Sequence, residues 1–177
     1  MRITGGTLRG RTIHPPSNLP IRPTTDFAKS ALFNILNNYF DFETLTVLDL
    51  FAGAGSIAYE FISRETKSVT CVDEDYHCVA FIKKTASDLK INNLKCYRAD
   101  AFKFVKQETL QYDIIFADPP FTLEEADKLP DLIFEKKLLK KDGWLIVEHQ
   151  SKRLLQSKAI PFDVRKYGNC GFSMYKE

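Results

Sequence analysis

Apolar and polar positions change period several times along this chain, and each change marks an element. The opening "MRITGGTLRGRTI" (1–13) alternates around Gly5-Gly6 and Gly10, which predicts a short hairpin. "HPPSNLPIRP" (14–23) is too rich in proline for a helix or a central strand and reads as a connection. Thr24, Thr25 and Asp26 offer caps for a helix over "FAKSALFNILNNYF", whose apolar residues recur at helical spacing. From there strand and helix patterns alternate. Strands are predicted at "TVLDL" (46–50), "SVTCV" (68–72), "LKCYRAD" (94–100), "YDIIFAD" and "GWLIVEH" (143–149). Between them lie helical patterns at "SIAYEFISRE", "YHCVAFIKKTASDLKI", "AFKFVKQE" and "EEADKLPDLIFEKKLL", the last with Pro130 as a kink or boundary. The tail reads as two strands about Gly168-Asn169 with no helix between them.

This alternation predicts an α/β fold: a doubly wound, mostly parallel sheet covered by helices, ending in an antiparallel hairpin at one edge. Right-handed crossovers place its site at the C-terminal ends of the strands. The expected division is an N-terminal hairpin and helix over 1–42 and a catalytic domain over 43–177.

Composition narrows the class. The 177 residues suffice for one substantial core, and no apolar run approaches a membrane span. The N-terminus has no apolar signal core. The four cysteines are scattered without a C-x-x-C pair, so we expect reduced, mostly buried thiols in a cytoplasmic protein and no metal site. Net charge is only +2, but its distribution is uneven. Every charged residue before Asp26 is an arginine (Arg2, Arg9, Arg11, Arg22), with His14 nearby. Such an arm suits phosphates, and alternation in a hairpin would set Arg9 and Arg11 on one face.

The candidate chemistry sits at the strand ends. The first strand runs into "DLFAGAGS" (49–56), where Gly53 and Gly55 permit a tight turn and close backbone approach. No Gly-Lys-Ser/Thr follows, and Ala58 stands where a dinucleotide fingerprint has its third glycine. Asp49 would repel a pyrophosphate but attract a cation, which fits the sulfonium and ammonium of S-adenosylmethionine. The second strand ends in "VDED" (72–75), with Asp73, backed by Glu74, placed to accept from ribose hydroxyls. The third ends in "RADA" (98–101), where Asp100 can accept from an adenine amino group. Phe51 and Ala101, in the same turns, complete the cofactor-lining set.

The fourth strand ends in "ADPPF" (117–121). An exocyclic base nitrogen is a poor nucleophile because its lone pair is delocalised into the ring. Asp118 can accept one of its N–H bonds and the Pro119 carbonyl the other, which turns the lone pair toward the methyl donor. Pro119 and Pro120 stiffen this geometry, and Phe121 offers a flat face for the base.

"DLFAGAGS", "VDED" and "ADPPF", in that order, resemble class I S-adenosylmethionine-dependent amino-methyltransferases. "MRITGGTLRGR", "RPTTD" with "LFNIL", "FISRETKSVTCVD" and the closing "YGNCGFSMYK" narrow the resemblance to the RsmD family and extend it nearly end to end. That resemblance implies a Rossmann-like fold and methylation of the N2 amino group of one guanine in bacterial 16S ribosomal RNA. The substrate would be 16S ribosomal RNA within an assembling or assembled small ribosomal subunit, and a monomer is expected. It also implies that Arg22, Thr24 and Asp26 lie over the donor pocket, with Arg2, Arg9 and Arg11 near RNA. Two positions depart from the family pattern: Phe121 stands where tyrosine is commoner, and Ser30 replaces an acid after the basic Lys29. Three other readings compete: a DNA adenine or cytosine amino-methyltransferase, a nicotinamide-dependent oxidoreductase and a non-catalytic RNA-binding module.

Overall fold

The computed structural model describes residues 1–21 and 25–177. Its sheet has seven strands among the described residues: β1 (Thr46–Leu50), β2 (Ser68–Asp73), β3 (Leu94–Arg98), β4 (Tyr112–Ala117), β5 (Leu139–Gln150), β6 (Asp163–Tyr167) and β7 (Cys170–Lys176). They lie in the order β3-β2-β1-β4-β5-β7-β6. Strands β1 to β5 pair in parallel, and β7 runs antiparallel to both its neighbours, β5 and β6. The central strand β1 is buried on both faces, which is why "TVLDL" reads as a continuous apolar run around one acid.

Helices α1 (Asp26–Leu36), α2 (Ser56–Ser63) and α3 (Tyr76–Asp88) cover one face through Leu32, Phe33, Phe61 and Ile82. Helices α4 (Ala101–Gln107) and α5 (Leu129–Glu135) cover the other through Val105, Leu129 and Ile133. The Thr25 side chain caps α1 by accepting the Ala28 amide at 3.2 Å. None of these helices is long and apolar enough to cross a membrane.

Several boundaries differ from the sequence pattern: α1 ends at Leu36 rather than Phe40, α3 at Asp88 rather than Ile91 and β3 at Arg98 rather than Asp100. The helical run from Glu124 divides into a 3-10 turn, Glu124–Lys128, and α5. Pro130 sits in the first turn of α5, where its missing N–H is not needed. Strand β5 begins at Leu139, four residues before the apolar run at Gly143. Its pairing with β4 slips between Tyr112 and Ile114, and Asp142 takes up the extra length with a left-handed φ of 63°.

The N-terminal hairpin is a packed element rather than a free tail. Ile3 and Ile13 are buried with Tyr59. One bridge, Arg2 to Thr12, replaces the expected ladder. Arg9 lies in the turn, its amide bonded to the Gly6 carbonyl at 3.2 Å, so strand alternation does not relate it to Arg11. Both side chains are exposed. The tip is fastened to the end of α2: Thr7 N donates to Ser63 O at 2.6 Å and Leu8 N to Ser63 Oγ at 2.9 Å. Gly6 makes this approach possible, since at φ 75° a Cβ there would lie 1.8 Å from the Ser63 carbonyl oxygen.

Beneath the hairpin runs a buried ionic chain. Lys29 Nζ lies 3.3 Å from Glu60, both side chains being almost wholly buried, and Glu60 also pairs with Arg64. Lys29 Nζ further donates to Arg2 O at 2.6 Å and to Ser56 Oγ at 3.2 Å. The Arg64 guanidinium covers the Phe33 ring at 4.3 Å. One lysine thus ties the hairpin, α1 and the start of α2 together.

Candidate active site

A cleft of about 950 Å³ opens over the C-terminal ends of β1, β2 and β4. The β1–α2 turn forms its floor. Phe51 adopts φ 62°, a conformation that costs a non-glycine residue roughly 1–2 kcal/mol. Phe51 and Gly53 both line the cleft. Gly53 has φ 54°, and a Cβ there would come within 3.2 Å of Ile21. Gly55 lies outside the lining residues. Its φ of 81° caps α2, and its missing Cβ leaves room for the Tyr59 ring, which would otherwise be 2.9 Å away.

Asp49 lies on this floor and is buried. Its Oδ2 is buried and accepts no hydrogen bond from any described residue. Burial pushes its carboxyl well above the usual range, and Asp118 and Asp73 push it further, against the pull of the Ala58 amide. A buried acid with an unused oxygen, beside two further carboxylates, is a site for positive charge.

Asp73 joins two turns. Its Oδ2 accepts the Gly53 amide at 2.7 Å and its Oδ1 the Asp75 amide at 2.9 Å. Each oxygen retains a lone pair for a further donor. Burial raises its carboxyl above the ordinary value, with the two amides opposing. Glu74 is exposed at the cleft wall. Asp100 and Ala101 are not among the lining residues. The Asp100 side chain caps α4, accepting the Lys103 amide at 2.8 Å, and its placement gives no support to contact with an adenine. That end of the cleft is walled instead by Asp75, Tyr76, His77 and Arg98, none of which the sequence reading singled out. Arg98 lies 5.9 Å from the Tyr76 ring centre, and its Nε donates to the Glu74 carbonyl. The "DEDYH" that opens α3 was the available signal.

"ADPPF" closes the opposite wall. The Asp118 amide donates to Leu50 O at 3.3 Å, which ties the end of β4 to the end of β1. Asp118, Pro119, Pro120 and Phe121 all line the cleft, Pro119 buried and Pro120 exposed. Asp118 faces the same space as Asp49 and is close enough to raise its carboxyl. Arg22 and Thr24, expected over the donor pocket, lie outside the described residues. Met1 and Ile21 reach the cleft from the N-terminal segment, and Met1 was also overlooked.

The same order of features occurs in known proteins. The family described as conserved hypothetical protein 95 matches residues 1–176. Ribosomal RNA small subunit methyltransferase D of Escherichia coli K12 is 33% identical over 151 residues, spanning 84% of this chain and 71% of that protein. The chain belongs to the RsmD family. YlbH of Bacillus subtilis, described as a candidate rRNA methyltransferase, is 32% identical across 100% of this chain and 99% of its own length. The fold matches that of a hypothetical protein of Thermus thermophilus, with a TM-score of 0.87, 21% identity, and 100% and 99% of the two chains covered. RsmD-family membership makes this sheet a class I methyltransferase fold, and the cofactor is S-adenosyl-L-methionine. The residues present fit that cofactor. Asp49, with its unused buried oxygen, matches the sulfonium and ammonium of that cofactor and would repel the pyrophosphate of a dinucleotide.

Proposed function

We propose that this protein transfers a methyl group from S-adenosyl-L-methionine to the exocyclic N2 amino group of a guanine in 16S ribosomal RNA. The observation that carries the reading is the convergence of Asp49, Asp73 and Asp118 on one cleft at three adjacent strand ends. The names of the relatives support ribosomal RNA of the small subunit as the substrate. The choice of guanine N2 rests on the RsmD resemblance together with the acceptor geometry at "ADPPF".

The cofactor supplies an electrophilic methyl group on a sulfonium. In this reading Asp49 holds the positive charge at the floor, and Asp73 accepts from the ribose while its amide bonds keep the two turns in register. Asp118 accepts one N–H of the target amine and the Pro119 carbonyl the other. The nitrogen lone pair then faces the cleft interior instead of conjugating with the ring. The tie from Asp118 to Leu50 holds the acceptor carboxylate at a fixed distance from the β1 turn, which is pre-organisation for in-line attack. Phe121 supports the base. We assign residues 1–42 to RNA contact and to covering the cofactor. Arg2, Arg9 and Arg11 are exposed on the flank along α2. Arg9 suits phosphates away from the target nucleotide, because the hairpin tip binds the far end of a helix about 12 Å long, whereas Arg2 adjoins Met1 at the cleft.

Replacement of Asp118 tests the chemistry. Asp118→Ala should leave donor affinity within about twofold and lower turnover on the order of 100-fold or more. Retained turnover with weakened donor binding would instead make Asp118 a cofactor ligand. An amino-methyltransferase acting on DNA would show the same Asp118 dependence with duplex DNA as acceptor.

A further inference from the structure

The cleft divides the C-terminal rim of the sheet unequally. The cofactor side takes the ends of β1 and β2, and the acceptor loop stands at β4. The ends of β5, β7 and β6 are thereby left as a route for nucleotides flanking the target base. That rim extends three strand spacings beyond β4, about 14 Å. Its outermost row is Gln150, Cys170 and Tyr167, paired in register across the three strands.

An aromatic pair stands at the end of this row. Phe27, in the first turn of α1, is 72% exposed although it is a large apolar residue. Its ring meets that of Tyr167 edge-on, with centroids 5.8 Å apart and planes at 81°. Tyr167 packs inward against Phe172, with centroids 6.0 Å apart, so the pair is supported from below. Cations border it. Lys152 and Lys166 are exposed, and among the described residues neither is in an ion pair. Arg153 lies between them and the acceptor loop, its charge shared with Asp127 at 2.9 Å. Burial holds the His149 imidazole below its ordinary pKa against backbone hydrogen bonds with Gln150 and Arg153, and the Lys166 charge adds a smaller push in the same direction.

We propose that this rim is the path of the RNA strand next to the target guanine, with Phe27 and Tyr167 as a base-stacking platform and Lys152 and Lys166 as phosphate contacts. The proposal rests on the reading of the cleft as an rRNA methyltransferase site. An exposed ring held by a second ring costs little to order and presents a π-face to any base. Unpaired lysines within one rim complement a polyanion, and the surface is continuous with the acceptor loop. The sequence from Lys152 to Tyr167 holds a single acid, Asp163, and Arg165 pairs with it at 2.8 Å.

The test uses the whole protein and small ribosomal subunits lacking the modification. Phe27→p-benzoylphenylalanine places a photo-crosslinker on the platform and should attach to 16S rRNA near the methylated nucleotide. Phe27→Ala should weaken acceptor binding roughly 5- to 100-fold, the range for loss of one base stack, with donor affinity unchanged. Lys152→Ala with Lys166→Ala should make the log affinity against log salt slope shallower by about 0.7 per contact. A crosslink only to a ribosomal protein, or no crosslink from an enzyme that still methylates rRNA, would overturn the platform and leave the activity standing. Parental affinity and salt slope in both sets of variants would do the same. A parent protein that methylates no rRNA would overturn the reading beneath it, and the platform with it.

Discussion

Asp49 is the residue at which folding and binding conflict most sharply. Its folded carboxyl titrates well above its ordinary value of 3.8, chiefly because it is buried. Its contribution to stability is therefore full below the ordinary carboxylate pKa and is lost as pH rises through the raised value. Donor binding has the opposite sign, because a cation needs the ionised form. Donor affinity should fall as pH drops through the raised pKa, a range where exposed carboxylates remain ionised. Asp49→Asn should raise the Tm of the ligand-free protein near neutral pH and weaken donor binding by roughly 2–4 kcal/mol. It should also flatten the pH dependence, and calorimetric titration across pH checks all three expectations. A variant with full affinity and the parental pH profile would remove Asp49 from the cofactor site. Asp49 and Asp73 drew attention in the sequence because each lies near the C-terminal end of an apolar strand, and the structure brings both to the cleft. Asp100 occupies an equivalent position in the pattern; its side chain caps α4 and lies outside the cleft lining, and one sequence does not separate a cap from a ligand.

At the level of elements, the hairpin carries the clearest consequences. Gly6→Ala would place a methyl group on the Ser63 carbonyl, so the hairpin tip must lift and forfeit its bonds to α2. The expected cost is roughly 2–3 kcal/mol, read as a lower Tm and a lower urea midpoint. Lys29→Met should be more severe, about 3–5 kcal/mol, because it leaves buried Glu60 with Arg64 as its remaining cation. Adding Glu60→Gln to Lys29→Met should recover part of that loss, and a double variant no better than the single one would show that the pair does not act as a unit. Strand and helix positions were readable from periodicity alone, but the start of β5 was not. "LKKDG" has no alternation, and a register slip against β4 carries it into the sheet. The Lys29–Glu60–Arg64 chain was illegible for another reason. Charged residues on a helical pattern read as solvated, and only the docked hairpin buries them.

On the proposed reading, the molecule as a whole separates three tasks along one rim: cofactor on β1 and β2, acceptor loop at β4, and the outgoing strand over β5, β7 and β6. Such a division would let a chain with a net charge of only +2 act on a polyanion, since the needed cations would be local. The measurement that bears most directly on the account is the identity of the methylated nucleoside. Small-subunit rRNA lacking the modification would be incubated with the protein and isotope-labelled S-adenosyl-L-methionine, digested to nucleosides and separated by mass spectrometry. The account predicts label in N2-methylguanosine at one position of 16S rRNA, nearly absent with Asp118→Ala. Label in a methylated adenosine or cytidine, or on a ring carbon or ribose oxygen, would contradict it.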